Sequence, residues 1–177
     1  MPRLALGNND LTQPVSYDSH DDGNIFSPAP PVKVWDKQAG PKGKGALIIT
    51  NKTDTETVWE SAPPNPIPVG TKLRVNALVK TQDVEGKGVF IRFRPHRYHW
   101  GQMPGYDYAI PLESKSVNGT KDWVRVTTPV LETTEHSWFV WIGFVLDGKG
   151  SALISDVNVE LEYIEGMTDP VLIQYSK

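Results

Sequence analysis

The chain has 177 residues and no cysteine. Disulfide bonds, thiolate catalysis and cysteine-ligated zinc are therefore excluded, and cysteine usage gives no indication of the redox compartment. Long apolar runs are also missing: no stretch approaches the roughly 20 apolar residues that cross a membrane, so we expect no membrane insertion. The N-terminal sequence MPRLALGNND lacks the basic start and the apolar run of a secretory signal.

A basic excess, which nucleic-acid binding needs, is absent as well. The formal net charge is −3, and residues 1–31 account for all of it with four aspartates against one arginine. The remainder carries 17 basic and 17 acidic side chains, and only the segment 92–97 is locally basic. Because phosphate contacts require a positive binding face, we predict no nucleic-acid partner.

Catalytic and metal-binding motifs are missing or incomplete. The sequence has no Gly-x-Ser-x-Gly turn and no His-Glu-x-x-His pair. Most acidic residues fall in turns or at outward strand positions, where solubility explains them. His96 and His99 could ligate a metal in principle, but no third ligand lies nearby in the sequence. We therefore predict a non-catalytic protein.

Alternating apolar and polar residues dominate the chain after residue 31. The sequence has 15 glycines, 15 prolines and many β-branched residues, with almost no uninterrupted helical period. Intervening segments such as 85–88 and 118–119 have the chemistry of turns. The pattern predicts an all-β fold, an antiparallel β-sandwich of the jelly-roll type with at least eight strands in two sheets. The predicted strands are 32–35, 46–50, 57–60, 72–80, 88–94, 106–112, 122–130, 138–146, 152–163 and 171–175.

The alternation also assigns the faces of the strands. Apolar residues at every second position predict a buried core. In the run 88–94, this places Arg92 and Arg94 on the opposite face. The run 138–146 is apolar on both faces and is predicted to be a central strand covered on each side. The predicted core residues are Leu73, Val75, Val79, Ile91, Phe93, Val126, Ile142, Val157 and Val159.

Residues 1–31 differ from the rest and are predicted to form an extended N-terminal arm, with the sandwich spanning residues 32–177. The arm is polar, acidic and interrupted by five prolines. Such a segment cannot build its own core, so it should lie on another surface, either its own sandwich or a neighbouring subunit. We expect its contacts to be with neighbouring protein subunits. The apolar arm residues expected to make those contacts are Leu4, Leu6, Leu11, Val15, Tyr17, Ile25 and Phe26.

The segment 92–108, RFRPHRYHWGQMPGYDY, is rich in flat and cationic side chains. It holds three arginines, two histidines, three tyrosines, a tryptophan and a single acid. Rings and guanidinium groups stack on flat partners and reach polar ones, whereas a simple connection would be rich in Gly, Asn, Asp and Ser. The segment is therefore predicted to be a binding surface. The alternatives are a lid on the core and a subunit contact.

Four segments together resemble the carbohydrate-binding modules of the family 4, 9 and 22 type. They are GKGALIITN (43–51), PVGTKLRVNALVKTQDVEGKGVFIRFR (68–94), VNGTKDWVRVTTPV (117–130) and WIGFVLDGKGSALISDVNVEL (141–161). The resemblance covers roughly residues 32–162 and implies a galactose-binding-like β-sandwich. Such modules bind sugar rings on aromatic platforms, while Arg, Asn and Gln reach the hydroxyls.

This resemblance implies a set of ligand-binding residues. It also implies that Asp156 matches an acidic position often used for a structural calcium, while no other cofactor is expected. Trp123 matches a strand tryptophan of the family and is expected in the core. The candidate glycan-binding residues are Trp59, Arg92, Arg94, Tyr98, Trp100, Gln102, Tyr106 and Tyr108.

Two functional hypotheses follow. In the first, the chain is a phage virion decoration or structural protein that binds a polysaccharide or cell-surface glycan and is anchored through its arm. In the second, it is a stand-alone or enzyme-appended glycan-binding module of a polysaccharide-degrading system. Both hypotheses place the protein on the virion surface or outside the cell.

Overall fold

The computed structural model describes residues 3–4, 32–61, 69–97, 107–108, 111–134 and 139–162. These ranges contain eleven strands, a single 3-10 turn at Pro41–Gly43 and no α-helix. None of the helical structure in these ranges is long and apolar enough to span a membrane. The strands are β1 (Arg3–Leu4), β2 (Val32–Asp36), β3 (Ala46–Asn51), β4 (Glu56–Ser61), β5 (Lys72–Arg97), β6 (Asp107–Tyr108), β7 (Leu112–Glu113), β8 (Val117–Thr127), β9 (Leu131–Glu132), β10 (Phe139–Asp147) and β11 (Gly150–Glu162).

The strands form one antiparallel sheet that curls over itself. Its main path is β2-β3-β11-β5-β10-β4, and strands β6 to β9 also pair with β5. The long strand β5 belongs to both halves of the curl: residues 72–82 pair with β11, and residues 88–96 pair with β10. The predicted all-β, jelly-roll-type sandwich is confirmed. The two predicted sheets are halves of one continuous sheet.

The hydrophobic core lies between these two halves. It combines side chains of β3, β11 and the first part of β5 with side chains of β4, β10 and the second part of β5. All nine predicted core residues are buried, none more than 7% exposed. Strand β10 is a central strand, as predicted, because it pairs with β5 on one side and β4 on the other. Its inward side chains alternate with the buried Val145, which faces the other way.

The predicted turn at residues 85–88 is wrong, since the chain there is a bend inside β5. Asp83, Gly86 and Gly88 have φ values of 51°, 85° and 106°, which turn the strand without ending it. The register with β8 shifts across the same bend. The segment 118–119, also predicted as a turn, lies within β8. Isolated glycines in a strand allow such kinks, and the sequence pattern alone does not distinguish them from hairpin turns.

The outer edges of the curl, β2 and β4, are joined by a lysine. The Lys33 Nζ donates a hydrogen bond to the Val58 carbonyl oxygen at 3.2 Å. Trp35, also on β2, packs against the core. A charged side chain on an edge strand discourages pairing with another sheet, and this one also connects the two halves.

The arm is described only at β1. Its backbone pairs with β11 of the same chain, with Arg3 opposite Glu160 and Leu4 opposite Val159. At these two residues the expectation of purely intermolecular contacts is therefore not met. The other predicted arm contacts lie outside the described residues, as does the predicted strand 171–175.

Candidate functional site

The surface that carries the described candidate arginines is here called the outer face. It consists of the side chains of β4, β10 and residues 88–95 of β5 that point away from the core. Strict alternation defines it, because the register between these strands has no shift. From β5 it receives Phe90, Arg92 and Arg94; from β10, Trp141, Gly143 and Val145; and from β4, Glu56, Val58 and Glu60.

Arg92 is held by two carboxylates on different strands. Its Nη1 and Nη2 atoms donate to the two Glu56 carboxylate oxygens, each at 2.7 Å, and its Nε donates to Glu113 at 2.9 Å. A forked arrangement of this kind is among the strongest hydrogen-bonded ion pairs. Donation to Glu56 raises the pKa of Arg92 above its ordinary value against the opposing effect of burial. The guanidinium is thus fixed in place and permanently charged.

Arg92 and Lys87 together cover an apolar side chain. Phe90 is 1% exposed although it lies on the outer face. The Lys87 Nζ lies 4.1 Å and the Arg92 Cζ 5.2 Å from the centre of its ring, within cation–π range. Lys87 also donates to Glu113 at 2.5 Å. At this end of the outer face, a network of charged side chains therefore shields the Phe90 ring from solvent.

Glu113 is the acid shared by this network. Burial disfavours its charged form, but hydrogen bonds from Lys87 and Arg92 outweigh that effect and hold the pKa of its carboxyl below the ordinary value. The Glu113 carboxylate therefore stays ionised at lower pH than an ordinary glutamate does, and it remains a partner for both cations.

Arg94 makes a second pair across the central strand. Its Nη2 donates to Glu60, whose side chain is only 4% exposed, whereas that of Arg94 is 30% exposed. Gly143 lies between the two strands and directly opposite Glu60. A Cβ at Gly143 would lie 3.1 Å from Val58 Cγ1 and 3.5 Å from Glu60 Cγ. The missing side chain at Gly143 leaves the room in which Glu60 reaches across β10.

Arg94 differs from Arg92 in how its guanidinium is paired. Its Nε is buried and has no hydrogen-bond partner among the described residues. Trp141, half-buried, lies directly opposite Arg94 in the register of β5 and β10. This end of the outer face therefore combines a half-buried ring, a partly exposed guanidinium and a buried carboxylate that holds the guanidinium.

The ring-rich segment begins and ends beside the Arg94 end of the outer face. Strand β6 pairs with the end of β5, with Tyr108 opposite His96 and Asp107 opposite Arg97. His96 also pairs with Phe139 of β10. The chain on both sides of the undescribed residues is thus anchored two or three residues beyond the Arg94–Trp141 pair. Tyr98, Trp100, Gln102 and Tyr106 lie outside the described residues, and Tyr108 is described only by its backbone, so their binding roles remain predictions.

Trp59 faces the other way. It is 6% exposed and belongs to the core cluster, and its Nε1 has no hydrogen-bond partner among the described residues. In this conformation it offers no ring face to a ligand. Trp123 was expected in the core but lies half-buried on β8, because that strand exposes most of its side chains.

Sequence reasoning missed Trp141 and the acidic partners Glu56, Glu60 and Glu113. Trp141 lies in a run that is apolar on both faces, which favours burial over binding. The acids were interpreted as solubilising surface residues. Gly143 could have indicated the Glu60 contact, since a glycine in a central strand often marks a close approach of neighbouring groups.

Asp156, the candidate calcium ligand, is committed to two cations. Lys44 Nζ lies 2.8 Å from Oδ1 and Arg125 Nη2 lies 2.7 Å from Oδ2. These hydrogen bonds, from Lys44 first and Arg125 second, hold the pKa of Asp156 below its ordinary value. The described residues contain no group of three His, Cys, Asp or Glu side chains that could bind a metal. The described surroundings of Asp156 therefore fit an ion-pair network and do not fit a calcium site.

The fold is shared with proteins of known structure. No family model and no curated protein matches the sequence. The chain resembles the CBM22-1–GH10 modules of Clostridium thermocellum endo-1,4-beta-D-xylanase 10B complexed with xylohexaose, with TM-score 0.52, 11% identity and 78% of this chain covered. It also resembles the enzymatically active domain of bacteriophage CBA120 tailspike protein 4, with TM-score 0.55, 11% identity and 75% covered.

A third similar structure is a Stig cyclase from Fischerella sp. TAU, with TM-score 0.62, 10% identity, 92% of this chain and 98% of the cyclase covered. The chain spans only 26% of the xylanase chain and 18% of the tailspike chain. At these identities the similarities show the fold alone. The chain has the fold of the carbohydrate-binding modules, in agreement with the resemblance of its sequence.

Proposed function

We propose that the protein is a non-catalytic glycan-binding sandwich that holds a polysaccharide at the Arg94–Trp141 end of the outer face. The observation that carries this proposal is the joint placement of Arg94, Glu60 and Trp141 beside the anchored ends of the ring-rich segment. Sugars suit this combination, since their apolar faces stack on rings and their hydroxyls accept hydrogen bonds from a guanidinium, here one that the buried Glu60 holds in place.

The two arginines divide the work within this proposal. Arg92 donates three hydrogen bonds to Glu56 and Glu113 and covers Phe90. It therefore stabilises the face. Arg94 pairs with Glu60 through Nη2, and its side chain stays 30% exposed, so the exposed part of its guanidinium can meet hydroxyl groups. Within the ring-rich segment, Tyr98, Trp100 and Tyr106 supply the stacking surfaces and Gln102 an amide.

Affinity electrophoresis tests the proposal, with native gels that contain single polysaccharides. Soluble xylan is the first probe, because a structure of similar fold was solved with xylohexaose; mixed-linkage glucan, mannan and a bacterial capsular polysaccharide extend the panel. We expect retardation in at least one gel, lost in Trp100→Ala and Tyr98→Ala with the melting temperature within a few degrees of the parent. Release of reducing ends from the retained polysaccharide would show that the protein is an enzyme instead.

We further propose that the chain is displayed on a phage virion as a decoration or structural protein. The arm-like N-terminal segment and the fold similarity to a phage tailspike domain support this role. The alternative is an enzyme-appended module, favoured by the similarity to part of a xylanase. The intact mass of the natural protein tests the alternative, since a module joined to a catalytic domain belongs to a chain well above the 19.7 kDa of these 177 residues.

A further inference from the structure

The edge of β11 that faces β3 is only partly used by β3. Their pairing covers residues 150–154 of β11 and stops there. A bulge follows between Ser155 and Asn158, with Asp156 at φ 50°. Beyond the bulge, β1 pairs with Val159 and Glu160 on an edge that β3 no longer occupies. The fold thus leaves a short strand-docking edge that begins at the bulge.

The occupant of this edge is connected to the sandwich by a long segment. Residues 5–31 separate β1 from β2, a connection of 27 residues. Fully extended, a chain of that length spans at most ~90 Å, several times the radius of a domain of this size. A strand on such a tether meets identical docking edges on its own sandwich and on a neighbouring one.

We propose that the β11 edge at Val159–Glu160 is an exchange site, at which β1 of one copy docks on a second copy of the chain. The hydrogen bonds are the same in both arrangements, so only the concentration of competing edges decides between them. This inference rests on the proposed role in a larger assembly and not on glycan binding.

The effective concentration of the chain's own edge sets the threshold for exchange. Linkers of 27 residues typically have end-to-end distances of about 30 Å, and a link of that reach gives an effective concentration in the millimolar range. In dilute solution β1 therefore closes on its own sandwich, as in the structure. Exchange dominates when neighbouring copies are packed at comparable density, as on a particle surface.

Engineered cysteines can distinguish the two arrangements, because the chain has none of its own. Arg3 and Glu160 are register partners, so Arg3→Cys and Glu160→Cys place two thiols within disulfide range. In the double variant at micromolar concentration we expect an intramolecular disulfide. In a mixture of the two single variants at about 1 mM, one of them isotopically labelled, we expect disulfide-linked heterodimers.

A matched mixture of Arg3→Cys with Asp122→Cys controls for random collision. Asp122 lies on β8, away from the β11 edge, and its side chain is 83% exposed. We expect at least fivefold more heterodimer from the register pair than from this control. Equal yields, together with quantitative closure of the double variant, would overturn the exchange. If the double variant formed no intramolecular disulfide, the pairing of β1 with the β11 edge would itself be wrong.

A second measurement avoids substitutions in β11. Sedimentation velocity of the unaltered chain should show a dimer fraction that rises towards millimolar concentration. A chain that lacks residues 1–4 should stay monomeric over the same range, with an unchanged melting temperature. Equal dimer fractions for the two chains would contradict strand exchange. Loss of glycan retention in either chain would bear on the binding proposal only.

Discussion

Glu60 of β4 and Arg94 of β5 form an ion pair that crosses the central strand β10 over Gly143. Glu60 is nearly inaccessible, with 4% of its side chain exposed, while Arg94 remains 30% exposed. The pair joins two strands that are not neighbours in the sheet. It also holds Arg94 at the edge of the surface where we place the ligand. The same ion pair should therefore affect both the stability of the fold and ligand binding.

Glu60→Gln should destabilise the fold, because a partly buried guanidinium would lose its compensating charge. Removal of one member of a fully buried pair costs about 3–5 kcal/mol, and the exposure of Arg94 reduces this to about 2 kcal/mol. The melting temperature should then fall by about 4–8 °C in differential scanning fluorimetry. Asp122→Asn removes the acid of the exposed Lys80–Asp122 pair and should leave the melting temperature unchanged. Equal effects would show that the crossing pair is no stronger than a surface pair.

Arg92→Met and Arg94→Met should have different effects on stability and on polysaccharide retention. Methionine keeps an apolar stem in both variants. Arg92→Met breaks the fork to Glu56 and uncovers Phe90, so it should lower stability by about 1–3 kcal/mol and leave polysaccharide retention unchanged at a temperature where it is folded. Arg94→Met should weaken retention at least fivefold. Loss of gel retardation in Arg92→Met, with retardation kept in Arg94→Met, would contradict these separate roles.

Gly148, in the 147–150 turn that packs against the bend in β5, should be hard to replace. Its φ is 123°, and a Cβ there would lie 2.0 Å from the Glu85 carbonyl oxygen, a backbone atom. We expect Gly148→Ala to cost about 2–4 kcal/mol in urea unfolding, from conformational strain plus displacement of β5. Gly119, with φ 71° and no atom within 4 Å of a Cβ, is the matched control. Gly119→Ala carries only the conformational part, about 1 kcal/mol; similar costs at the two sites would count against the close crossing.

Asp156 should contribute stability only while it is ionised. Its pKa in the fold is below the ordinary value of 3.8, so the contribution is complete above that value and disappears as the pH falls through the folded pKa. Asp156→Asn keeps a residue type that tolerates the positive φ. At pH 7 the melting temperature should fall by about 2–4 °C, and the difference should become smaller as the pH falls below 3.8. A difference independent of pH would show that the charge is not responsible.

Strand content, core residues and fold class could be predicted from the sequence because they depend on alternation, which is local. Leu73, Val75 and Val79 alternate with polar residues and are buried as predicted. The bend in β5 could not be predicted, because Gly86 and Gly88 look the same in a hairpin turn and in a kinked strand. Their assignment depends on β8 and the 147–150 turn, which are distant in sequence.

The candidate site was predicted in part for the same reason. The outward direction of Arg92 and Arg94 follows from alternation, but their different roles depend on Glu56, Glu113 and Glu60, which lie on other strands. Trp59 was misplaced because its ring chemistry was considered without its face: it alternates with Val58 and Glu60 and so points into the core. Trp141 was overlooked because an apolar strand was expected to be covered on both faces.

The central claim is that a polysaccharide binds at the Arg94–Trp141 end of the outer face. A ¹H–¹⁵N correlation spectrum recorded during titration with xylohexaose, or with an oligosaccharide of whichever polysaccharide retards the protein, tests it most directly. We expect the largest shifts at the Arg94 Nε–H, the Trp141 indole N–H and the backbone of Gly143, with little change around Asp156. Shifts confined to the β2–β3–β11 half of the sheet, or no shifts with any retained glycan, would contradict it.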